Sequence, residues 1–138
     1  MTDSELRAFI KSIPKTETHL HFEGALPMGL LRSKYPEKYD NPPASWADDF
    51  KFRSFEHFEE ELLGYAFDWF ESPDAYYEAA KVVFADLVGQ NVRYLETSFA
   101  SGLIEFGGLD GEAILDALHA AKPDELELRV FMGIHHTG

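Results

Sequence analysis

Two histidines two positions apart stand in the segment Lys15-Thr16-Glu17-Thr18-His19-Leu20-His21-Phe22-Glu23-Gly24-Ala25-Leu26. On a β-strand, side chains at i and i+2 project from one face, so the His19 and His21 imidazoles can converge on one point while Leu20 packs behind them. Neutral imidazole suits divalent zinc. Taken alone, the pair admits two readings, as ligands of one ion or as hydrogen-bonded strand histidines. The chain has no cysteine. Disulfides and thiolate ligands are therefore excluded, and with them a zinc ribbon or a His/Cys/Cys deaminase site, so any metal must rest on His, Asp or Glu.

The elements that must hold this pair are read from periodicity. Thr2 and Glu5 have capping-box spacing, and Leu6, Phe9, Ile10 and Ile13 follow at helical intervals, predicting a short amphipathic helix that Pro14 stops. Thr16 to Phe22 alternates as a strand, closed by a turn at Glu23-Gly24. Pro27 opens a helical turn for Met28 to Lys34, and the proline-bearing residues 35–53 predict an irregular connection. Ser54 to Phe70 reads as a helix whose stripe of Phe55, Phe58, Leu62, Tyr65 and Trp69 is expected in the core.

Ser72-Pro73 starts the next helix, with Tyr76, Ala80, Val83, Phe84 and Leu87 on its apolar face as far as Gly89. Val92 to Ala100 reads as a strand, Asp110 caps a helix running to Pro123, and Glu127 to Ile134 reads as a last strand. Strand, helices, strand, helix, strand is a βαβαβ order. It favours parallel strands, either in an open doubly wound sheet or in part of a (β/α)8 barrel, and periodicity does not choose between them.

This placement sorts the remaining histidines. His57 and His119 fall in predicted helices, where a solvated or capping role is expected over a ligand role. His135 and His136 end the last strand, at the rim where parallel α/β proteins bind ligands. His136 is expected to line a pocket, with a backbone hydrogen bond at the strand end as the competing reading.

Composition limits the partners. With 25 acidic against 12 basic residues the formal charge is -13, and no basic run follows a phosphate backbone, so polymeric nucleic acid is not expected. An apolar fraction of 45% with 12 Phe and 6 Tyr calls for a packed core rather than a disordered acidic chain. No stretch reaches membrane-spanning length. A soluble cytoplasmic protein is the expectation.

The segment around His19 and His21 resembles the first metal-binding motif of the adenosine/adenine deaminase family, within the amidohydrolase superfamily. A second stretch, Tyr94-Leu95-Glu96-Thr97-Ser98-Phe99-Ala100-Ser101, resembles the family's second-strand segment Tyr-x-Glu-x-Arg-Phe-x-Pro. Ser98 stands in place of the arginine and Ser101 in place of the proline. The resemblance covers the whole chain, residues 1–138, as the N-terminal portion of a single domain. It implies a (β/α)8 TIM barrel of the metal-dependent hydrolase type, with only about its first three strands in this chain, since such a barrel takes about 250 residues.

By that resemblance His19 and His21 are zinc ligands, and Glu23 and Gly24 meet the substrate. Glutamate at position 23, where adenosine-specific members carry aspartate, points toward free adenine or other aminopurines. The implied activity is hydrolytic deamination: zinc makes hydroxide available near neutral pH, hydroxide adds to C6 of the purine, and ammonia leaves. The family's remaining ligands and its catalytic glutamate come from later strands, so the general acid and base are expected outside this chain. The expected partner is a small purine. An open barrel also invites self-association through its sheet edges. The rival expectations are a catalytically incomplete fragment or binding module, and another amidohydrolase.

Overall fold

A computed structural model describes residues Met1 to Ile134; His135 and His136, expected above to end the last strand, lie outside the described residues. Helix α1 (Asp3–Ser12) begins with the capping box: Thr2 Oγ1 accepts the Glu5 N–H at 3.2 Å, and Glu5 Oε2 accepts the Thr2 N–H at 3.1 Å. Strand β1 (Lys15–His21) follows and runs into a single 3₁₀ turn, Phe22–Ala25. Next come α2 (Met28–Lys34), a 3₁₀ turn at Ala44–Trp46, α3 (Phe55–Trp69) and α4 (Pro73–Gly89). Ser54 and Ser72 cap α3 and α4 through their hydroxyls, and Pro73 occupies the first turn, where its missing N–H costs nothing.

Asn91, in the left-handed region at φ 63°, turns the chain from α4 into β2 (Val92–Ala100); its short amide side chain tolerates that conformation. Helices α5 (Ser101–Gly107) and α6 (Gly111–Ala121) then lead to β3 (Glu127–Gly133). Asp110 caps α6 by accepting from Glu112 and Ala113.

The strands form one parallel sheet in the order β1-β2-β3. Along β2, Leu95, Thr97 and Phe99 are buried while Tyr94, Glu96 and Ser98 are half-buried. The buried side meets Tyr76, Ala80 and Phe84 of α4 and Ile114 and Leu118 of α6, which with Phe22, Leu31 and Phe70 make the core. The other face carries the histidines and no helix among the described residues packs on it with comparable burial. Consecutive parallel strands joined by helices in this order are what successive units of a (β/α)8 barrel have, with β1 and β3 here as open edges.

The stripe on α3 enters the core only in part: Tyr65 and Trp69 pack against it, whereas the residues nearer the helix start do not. Phe55 is 68% exposed and Phe58 38%, and Ala66 is the buried residue of that helix. Amphipathic spacing records that one side is apolar, and here that side faces a cleft beside the strand end. α5 was not signalled by the sequence; Leu103 is its buried anchor.

Candidate functional site

His19 and His21 leave the end of β1 on its open side while Leu20 packs against the core. Their Nε2 atoms are 3.2 Å apart and the ring centroids 5.2 Å. Two nitrogens bound to zinc at 2.0–2.1 Å with a tetrahedral angle stand about 3.3 Å from each other. The observed separation therefore fits one ion taking both lone pairs, as well as a hydrogen bond between two neutral rings. The two states demand different tautomers: joint ligation needs the proton on Nδ1 of both rings. Among the described residues no third His, Asp or Glu completes the group, so the pair supplies at most half of a four-coordinate shell.

Glu23 sits one turn beyond, in the 3₁₀ turn, and is 4% exposed. Its Oε1 accepts the Tyr76 hydroxyl at 2.9 Å and the Ala100 N–H at 2.8 Å. One carboxylate thus ties the end of β1 to the end of β2 and to α4. Burial pushes its pKa above the ordinary value, against the opposing pull of the Ala100 N–H, the Tyr76 hydroxyl and the nearby His21. Tyr76, buried and facing that carboxylate, is pushed far up and stays a donor.

Gly24 borders a cleft of about 440 Å³ between the 3₁₀ turn and α3, with Trp46, Phe58, Leu62 and Tyr65 in its walls. Trp46 stands edge-on to Tyr65 with centroids 5.2 Å apart. Ser45 Oγ, in the same lining, is buried with no hydrogen-bond partner among the described residues. This cleft was missed by sequence reasoning, which assigned its α3 wall to the core; the clue was an aromatic stripe richer than one packed helix face needs. His57 and His119 take the helical roles expected: His57 Nδ1 accepts the Arg53 N–H at 3.2 Å, and His119 lies in the last turn of α6.

No family model matches the chain. It is 29% identical over 125 residues to the aminodeoxyfutalosine deaminase of Streptomyces avermitilis, covering 88% of this chain and 35% of that protein. It is 32% identical over 123 residues to the adenosine deaminase of Mycolicibacterium vanbaalenii, covering 83% and 34%. Over most of its length the chain is similar to the adenosine deaminase family. It spans about a third of the length of these curated relatives.

Solved structures agree on the fold. A zinc-bound amidohydrolase from Burkholderia ambifaria superposes with a TM-score of 0.67 at 20% identity, over 96% of this chain and 38% of that one. The adenine deaminase of Arthrobacter aurescens gives a TM-score of 0.66 at 16% identity, over 86% and 39%. At these identities the likeness concerns architecture alone, and within it His19 and His21 stand at the end of the first strand.

Proposed function

We propose that this chain contributes the opening strands of a zinc-dependent aminohydrolase that releases ammonia from an aminopurine, acting within a longer protein. The observation that carries the reading is the convergence of His19 and His21 Nε2 to 3.2 Å on the open side of β1. Deaminase relatives along the sequence and a zinc-bound structural neighbour support it. When bound, zinc supplies the acidity that makes a water nucleophilic near neutral pH.

The residues of this chain then have separable tasks. His19 and His21 would hold the ion through Nε2, each keeping its proton on Nδ1. Glu23 fixes the rim by its two bonds through Oε1, and a substrate donor would be met by its second oxygen. The apolar walls at Leu62, Tyr65 and Trp46 suit a flat heteroaromatic ring, and Gly24 keeps the cleft open beside them. General acid and base chemistry is assigned to strands outside this sequence.

The test has two arms in the full-length protein. Zinc should copurify and be lost on His19→Ala combined with His21→Ala; ammonia should be released from adenine, adenosine or a related aminopurine. Retention of zinc by the double variant refutes the ligand assignment. No ammonia from any of these substrates removes the deaminase reading.

A further inference from the structure

Strand β1 does not run beside β2 in even register. Between the pairs Glu17↔Leu95 and Leu20↔Thr97 it advances one residue more than its neighbour. The exposure pattern breaks at the same place, where the consecutive residues Thr18 and His19 are both exposed. An extra residue of this kind raises local twist, re-aims side chains and takes backbone groups out of the ladder.

Two side chains supply bonds to the backbone there. Glu17 Oε1 accepts the His19 N–H at 2.9 Å. The Thr97 hydroxyl, on a residue 1% exposed, donates to the Leu20 carbonyl at 2.8 Å. The backbone is thereby fixed at the first imidazole and again between the two. In a regular strand, residues i and i+2 are about 6.6 Å apart along the axis, whereas the ring nitrogens here meet at 3.2 Å. How far the rings lean together depends on the local twist that these two bonds hold.

We propose that Glu17 and Thr97 are positioning residues for the histidine pair, Glu17 through the His19 amide and Thr97 through the Leu20 carbonyl. The proposal rests on the reading of His19 and His21 as metal ligands. Neither side chain needs to touch the ion. Groups that orient ligands in this way change metal affinity by about 10–100-fold when removed.

Zinc affinity of the full-length protein, measured by competition with a chromogenic chelator, tests this together with amide hydrogen exchange at His19 in the metal-free protein. Glu17→Ala should weaken zinc binding about tenfold or more and speed His19 exchange. Glu17→Gln keeps an acceptor oxygen and should restore both. Thr97→Val should weaken zinc binding and Thr97→Ser should recover it; a variant that fails to fold is read through its conservative counterpart. Wild-type zinc affinity in Glu17→Ala overturns the proposal, as does a Glu17→Gln protein that loses as much as Glu17→Ala. His19→Ala combined with His21→Ala is the separate arm: wild-type zinc affinity there refutes the ligand reading, while His19 exchange in Glu17→Ala still decides whether the carboxylate holds that amide.

Discussion

Replacing Glu23 tests the rim of the site most directly, because one buried oxygen receives donors from two other elements. Glu23→Ala strands the buried Tyr76 hydroxyl and the part-buried Ala100 N–H. Each unsatisfied buried donor costs about 1–3 kcal/mol, so the variant should lose about 2–6 kcal/mol. That is a large share of the roughly 5–15 kcal/mol that holds a domain folded. Glu23→Gln keeps an acceptor for both donors and should stay within about 1–2 kcal/mol of wild type.

The two forms also differ with pH. Burial raises the Glu23 pKa above its ordinary 4.5, so the folded state binds this proton more tightly than the unfolded state does. The group therefore favours folding fully below the unfolded value, and that contribution fades as pH climbs to the folded value, beyond which it is constant. Glutamine has no such dependence. Urea unfolding of both proteins between about pH 4 and 8 should show wild-type stability, relative to Glu23→Gln, falling with rising pH and then levelling. Amide exchange at Ala100 should report the same bond locally. A difference that is flat or rises with pH refutes the reasoning, as does a Glu23→Ala protein as stable as wild type.

Asp68 should behave in the opposite sense. Burial alone would raise its pKa, but hydrogen bonds from Lys38 and Tyr39 more than offset this and hold it below 3.8; its contribution is present above the unfolded pKa and lost as pH falls through the folded one. Asp68→Asn should therefore cost about 1–2 kcal/mol at neutral pH and progressively less in acid, measured by urea unfolding. Gly24→Ala should leave the fold within about 0.5 kcal/mol in thermal unfolding, since the added Cβ meets only Leu62 Cδ1 at 3.9 Å; a loss above about 2 kcal/mol would contradict the open cleft. The isolated 138-residue chain, with β1 and β3 as edges and Phe131, Met132 and Ile134 exposed, should sediment as an associated species. A cooperatively melting monomer would refute that.

The order of elements was legible because its punctuation is chemical. Thr2, Ser54, Ser72 and Asp110 each accept a backbone N–H at the helix start their residue type announced. α5 escaped because it follows β2 with no side-chain cap and has a single buried residue, Leu103, so neither a start signal nor a sustained apolar period marks it. The part of the α3 stripe that stays out of the core, Phe55 and Phe58, misled for a different reason. Spacing fixes which residues share a face, whereas what lies opposite that face is set by segments such as Ala44–Trp46, whose own sequence has no period.

The same limit governs the site. Spacing alone predicted His19 and His21 on one side of β1, because side chains at i and i+2 of a strand share a face. It was silent on Glu17 and Thr97, whose bonds lie where β1 and β2 slip in register, a feature that residue spacing does not record. The two departures from the family's second-strand pattern also separate once they are placed. Ser101 opens α5, a position where proline is tolerated for want of a helical partner to its N–H, so the change there barely touches the local fold. Ser98 pairs with His21 across the sheet and is half-buried on the same open side. A serine is neutral at neutral pH, so Ser98 brings no charge beside His21 where the family pattern has a guanidinium.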